Sequence, residues 1–153
     1  MNLLKFHNKI KGYTQNRQPG IEADMEPKPI AELEEYKAAG KLENKVALIT
    51  GGDSGIGRAI AILYAKEGAN VAIGYYDEHQ DAEDTVNRLQ EMGVKAKAYA
   101  HDLKDEKQSQ KLIKDVINDF GSLNILVNNG GVQFPRDHFE DITPQQVKET
   151  FMT

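Results

Sequence analysis

The chain has 153 residues, 39% of them hydrophobic, and a formal net charge of −5, which suffices for one core and one globular domain of ordinary size. The acidic balance and the absence of a long Lys/Arg run argue against a nucleic-acid partner, which requires clustered cations opposite phosphates. No cysteine is present, which removes disulfides, thiolate nucleophiles and cysteine metal sites together, and no apolar run approaches the roughly 20 residues of a membrane span.

Residues 1–44 read as a polar N-terminal arm, interrupted by Pro19, Pro27 and Pro29. Its start, Met1 to Tyr13, has lysines and scattered apolar residues but no continuous apolar core of a signal peptide, so the cytoplasm is the expected location. Only Ile30 to Ala39 has helix-like spacing. Two readings of the arm stay open: a loosely docked leader, or a segment that packs on a neighbouring subunit.

From residue 45 onward apolar runs and amphipathic stripes alternate. Val46 to Ile49 is continuously apolar, as a central parallel strand buried on both faces requires. Thr50 to Gly57 is a glycine turn, and Ile56, Ala59, Ile60 and Leu63 then recur at helical spacing up to Gly68. Val71 to Tyr75 predicts a second strand, and Ala82, Val86, Leu89 and Met92 a second helix closed by Gly93. The acidic stretch Asp77 to Asp84 reads as a solvated helix face rather than a cation site. Lys95 to Ala100 alternates with period two, which predicts a strand with one wet face at the sheet edge, where its lysines discourage edge pairing. Leu112, Ile113, Val116, Ile117 and Phe120 give a third helix ending at Gly121, followed by a fourth strand from Leu123 to Val127. Thr143-Pro144-Gln145-Gln146 has the form of a capping box with proline at the first helical position.

Four alternations of strand and helix with right-handed crossovers predict an α/β fold of the Rossmann type, a doubly wound parallel sheet in which the third strand lies outermost. Ligands of such sheets bind beyond the carboxyl ends of the strands. Four segments fall there: Gly51 to Gly57, Tyr75-Tyr76-Asp77, His101-Asp102-Leu103 and Asn128 to Gly131. The first joins a strand to a helix start, where free N–H groups and roughly half a positive charge suit a pyrophosphate; its spacing is G-x-x-x-G-x-G. The four histidines are scattered without metal-helix spacing and read as surface residues, so no metal site is expected. No phosphate-loop lysine follows the glycine turn, which argues against a nucleotide triphosphatase.

TGGDSGIG after the first strand, Asp102-Leu103 after the third and ILVNNGG at the fourth resemble the classical short-chain dehydrogenase/reductase family, whose marks are TGxxxGxG, a D-V or D-L pair, and NNAG. The resemblance spans about Leu42 to the end, and Pro19 to Glu22 with Met25 to Pro29 is similar to the arm of its N-terminally extended, general-stress or glucose/ribitol-dehydrogenase-like branch. It implies an NAD(P)-dependent oxidoreductase acting on alcohol, sugar or carbonyl groups, homo-oligomeric when complete. It also implies that Gly51, Asp53, Ser54, Gly55, Ile56 and Gly57 hold the pyrophosphate side of the cofactor. Asp102 with Leu103 would then meet the adenine, and Asn129, Gly130 and Gly131 would line the adenosine ribose. Gly130 stands where the family usually has alanine, a departure expected to loosen the turn a little.

Cofactor choice turns on the residue closing the second strand, here Tyr75, which is equally read as a cover for the sheet end. Asp53 stands where NADP users of the family often carry a basic residue, and Asp77 follows the strand; the expectation is NAD or NADP, with a slight lean to NAD. The family's proton-transferring Tyr has a Lys four residues on, and none of the six tyrosines here does. Its catalytic Asn and Ser are also expected beyond residue 153. The chain is therefore expected to be the cofactor-binding half of the enzyme, residues 45–153 forming a Rossmann half-domain cut before the catalytic segment and inactive alone. The alternative is a non-catalytic dinucleotide-binding or interaction module.

Overall fold

The computed structural model describes residues 15, 20–33 and 35–153. Strands β1 (Val46–Thr50), β2 (Asn70–Tyr75), β3 (Ala96–Ala100) and β4 (Ile125–Val127) form one parallel sheet in the order β3-β2-β1-β4. Helices α1 (Gly55–Lys66), α2 (His79–Glu91) and α3 (Glu106–Phe120) connect them, and α4 (Pro144–Met152) follows β4. The third strand is outermost, as the alternating pattern of residues 95–100 requires.

Period-two geometry explains why Val46 to Ile49 of β1 and Val71 to Ile73 of β2 are apolar on both faces. Ile49, Val71 and Ile73 pack with Ala61, Ala65 and Leu89 under α1 and α2, while Val46, Leu48 and Ala72 meet Leu112 and Val116 of α3 on the other face. Burying a side chain such as Leu48 or Ile73 completely contributes about 1.5–3 kcal/mol. The three crossover helices are followed at once by Gly68, Gly93 and Gly121, all with positive φ, where the periodicity places their ends. At α4, Thr143 accepts from Gln146 N and the Gln146 side chain returns to Thr143 N, completing the capping box.

Three expectations change. β4 begins at Ile125 rather than Leu123, because Asn124 joins β1 with side chain and backbone together: its Oδ1 accepts from Val46 N (2.8 Å) and its N donates to Val46 O (2.9 Å). The lysines of the outer strand are not simply solvated; Lys97 Nζ and the Tyr99 hydroxyl both reach the Asp119 carboxylate of α3, at 2.6 and 2.7 Å. Ile30 to Ala39 holds no helix among its described residues, and Ile30 and Leu33 point outward.

In place of a buried apolar stripe, that segment makes polar contacts with α1 and α2 of its own chain. Glu32 takes Arg88 in a two-pronged contact (2.9 Å each) and Lys66 at 2.9 Å. Glu67, at the carboxyl end of α1 where a negative charge opposes the helix dipole, is surrounded by arm donors: the Tyr36 hydroxyl, Ala39 N (3.1 Å) and Lys41 N (2.8 Å). The rest of the arm, residues 1–14, 16–19 and 34, lies outside the described residues.

The Tyr36 hydrogen bond, then the Lys41 N–H, hold the Glu67 carboxyl down at about 2, below its ordinary 4.5. A carboxyl depressed on folding stabilises the fold above its ordinary value, and that contribution disappears as pH falls through the folded value. Glu67→Gln is therefore expected to lower stability at pH 7, with the gap to the wild type closing between pH 4.5 and 2; urea denaturation across that range measures it. A gap independent of pH would contradict the ion-linked role. Separately, among the described residues β4 pairs only with β1 and leaves Leu126 half exposed, so the chain is expected to self-associate through that edge. Sedimentation should show less association for Leu126→Lys.

Candidate functional site

The carboxyl ends of β1 and β4 are tied by one hydroxyl and one amide. Thr50 Oγ1 accepts from Asn129 N and Gly130 N, both at 3.0 Å, and donates to Val127 O at 3.4 Å. Asn129 Nδ2 returns two bonds, to Thr50 O and Gly51 O, each 3.0 Å. Gly51 N and Gly52 N donate to Gly74 O, which adds the end of β2. The turn after β1 is thus fixed from both sides, and α1 starts directly beneath it. A Cβ on Gly57 would lie 1.9 Å from Gly51 O, so no other residue fits between helix and turn.

Eleven of the twelve candidate residues line one cavity of about 520 Å³, and the twelfth, Gly57, is buried beside the turn. Asp53 is only 5% exposed; burial raises its carboxyl above the ordinary range, the Ser54 side chain opposes this, and the nearby Asp81 and Glu22 charges add to it. Its carbonyl accepts from the Thr85 hydroxyl of α2 at 2.8 Å. Tyr75 is half buried, its ring edge-on to His79 and its hydroxyl 2.8 Å from His79 Nδ1. Asp102 Oδ1 accepts from Lys104 N (2.9 Å) and Asp102 N donates to Gln108 Oε1 (3.0 Å), a turn that carries the chain from β3 into α3.

Leu103 lies over Gly130, where an added Cβ would sit 2.8 Å from Leu103 Cδ1. The Gly130 N–H is held by Thr50, and the missing methyl leaves room for the Leu103 side chain. Gly131 lies at the exposed rim.

Sequence reasoning missed three features. His101 is not a surface histidine but 8% exposed, because Gly74 leaves room for its ring; a Cβ there would be 2.4 Å from His101 Cε1. The imidazole Nδ1 lies 3.3 Å from Tyr99 O and Nε2 is buried without a hydrogen-bond partner. A glycine near the end of an otherwise apolar strand was the available signal. The acidic stretch is likewise not wholly solvated: Glu78 and Asp81 are each 8% exposed, and burial raises the Asp81 carboxyl. Thr50 was visible as part of the turn, but its tie to Asn129 spans 79 residues and no local pattern marks it.

Chemically the cavity offers the start of a helix. The first intrahelical bond of α1 runs from Arg58 N to Ser54 O, so the N–H groups of Ile56 and Gly57 precede the ladder. Among the described residues no group of three His, Cys, Asp or Glu is placed to hold a metal ion. Thr50→Val removes the shared hydroxyl at nearly constant volume and leaves two backbone donors without their acceptor. It is expected to cost about 1–3 kcal/mol, measured by urea denaturation, and to release the residue 129–131 turn. Unchanged stability would show that water replaces the hydroxyl.

Residues 45–153 match the family model described as short chain dehydrogenase. General stress protein 39 of Bacillus subtilis is 48% identical over 151 residues, covering 99% of this chain and 53% of that protein. Glucose and ribitol dehydrogenase of Daucus carota is 40% identical over 147 residues, covering 91% of this chain and 50% of that protein. A crystal structure of a short chain dehydrogenase from Burkholderia cenocepacia in complex with NADP superposes with a TM-score of 0.69 at 37% identity, covering 73% of this chain and 45% of that one. The chain thus spans about half the length of these relatives. The family match over the whole sheet, together with identity of this level along the chain, places the protein in the short-chain dehydrogenase family.

Proposed function

We propose that the chain is the dinucleotide-binding part of an NAD(P)-dependent short-chain oxidoreductase acting on CH–OH or carbonyl groups. One observation carries this: the Thr50–Asn129 tie gathers the glycine turn, the start of α1, Asp102 and the residue 129–131 turn around a single cavity. The residues present fit such a ligand. N–H groups of Ile56 and Gly57 would hold the pyrophosphate, Asp102 the adenine amino group, and Asn129 to Gly131 the adenosine ribose. A nicotinamide dinucleotide, once bound, supplies hydride transfer; the chain's part is to bind and orient it. The division into an arm (1–44) and a half-domain (45–153), with the proton-transferring residues outside it, belongs to this proposal. So do an alcohol, sugar or carbonyl substrate, a homo-oligomeric whole protein and a cytoplasmic location.

The lean to NAD rests on Asp53, a carboxylate lining the cavity where NADP users often place a cation. The Burkholderia structure holds NADP, so the two forms have to be compared directly. The alternative reading is a non-catalytic dinucleotide-binding or interaction module. Titration calorimetry with both dinucleotides is expected to show weak binding, tighter for NAD, and none for Gly57→Val. Equal binding by the variant would remove the glycine turn from the site. With alcohols, sugars and aldehydes, nicotinamide absorbance should show no turnover by the 153-residue chain. A frame that continues through Tyr-x-x-x-Lys should give turnover that Tyr→Phe abolishes. A continued frame that binds without turnover would favour the module.

A further inference from the structure

The start of α1 is capped from an unexpected place. Ser54 occupies the N-cap position, yet its side chain makes no cap hydrogen bond. The missing acceptor comes from the arm. Glu22, 33 residues earlier, accepts from Gly55 N at 2.6 Å, and its other oxygen takes Arg58 Nη1 of the same helix at 3.1 Å. That side chain is 12% exposed. The residue before it is braced by the Gln15 amide, which bonds Ile21 in both directions, at 2.8 and 2.6 Å.

We propose that Glu22 is a positioning residue for the dinucleotide turn. Resting on the cofactor reading above, the inference is that the arm acts through this carboxylate on ligand affinity and not only on stability. The physical reason is local. A helix start leaves its first N–H groups without partners, and a side-chain acceptor there fixes both the entry angle of the chain and the first turn. A carboxylate is also favoured at this end by the helix dipole. With Gly55 N held by Glu22, the first turn of α1 is fixed where Gly55 and Ile56 line the cavity. Were Glu22 absent, Gly55, a glycine at the exposed corner of the turn, would have no side chain to restrain it.

The test separates positioning from general support of the arm, because the arm has a second anchor remote from the turn. Glu32 bonds Arg88 and Lys66 and touches nothing in the cavity. In the full 153-residue chain, Glu22→Ala is expected to raise the NAD dissociation constant roughly three- to tenfold, the scale of a lost cap, and to speed deuterium exchange at the amides of residues 55–57. Glu22→Gln, which keeps an acceptor without the charge, should recover part of both. Glu32→Ala should lower the melting temperature with neither effect. Equal changes from Glu22→Ala and Glu32→Ala would overturn the proposal, as would unchanged exchange and affinity in Glu22→Ala. If the unaltered chain binds no NAD, the cofactor reading fails, and exchange at residues 55–57 still decides whether Glu22 positions the turn.

Discussion

The Thr50 hydroxyl is the group on which the candidate site depends. A parallel sheet delivers all its carboxyl-end loops to one edge, but topology alone leaves those loops independent. Thr50 Oγ1 receives two N–H groups from the turn after β4, and Asn129 Nδ2 binds two carbonyls of the turn after β1. Each bond joins one of these two side chains to a backbone group at a strand end that would otherwise need water. Four bonds therefore satisfy backbone valence and fix the distance between two ligand loops at once. The close approach of Gly57 to Gly51 completes the arrangement by locking helix to turn.

The sheet order and the helix ends were legible because they rest on short-range chemistry. Two-residue and 3.6-residue periodicities, and glycines at helix ends, register in any window of a dozen residues. Residues 30–39 show where that logic stops. Their apolar spacing resembles a helix face, but Ile30 and Leu33 stay exposed while Glu32 finds Arg88, 56 residues on. Long-range ion pairs leave no periodic trace. His101 fails for a related reason: its burial is set by a glycine on the neighbouring strand, and strand register is needed to bring the two together.

The candidate residues are easier to read from the sequence than the burial of the side chains around them. Glycines and carboxyl-end asparagines are dictated by backbone geometry, which the motif spacing encodes directly. Asp53 and Asp81 differ: their burial depends on the arm and α2 closing over the start of α1, and carboxylates this covered are uncommon in a solvated helix face. Beside them Arg58 reaches Glu22 at 3.1 Å, while Asp81 Oδ2 is buried with no hydrogen-bond partner among the described residues.

The arm's anchors also have a consequence for how the chain comes together. Its carboxylates Glu22 and Glu32, and the donors around Glu67, all contact groups on α1 and α2 that lie later in the sequence, with Arg88 the most distant. An arm leaving the ribosome first has no surface to dock on until both helices have formed and packed on β1 and β2. The loop from Glu32 to Arg88 must close before the ion pair returns any energy, and the cost of that closure grows with its length. The described arm residues therefore dock after α1 and α2 have formed, although they precede both helices in the chain.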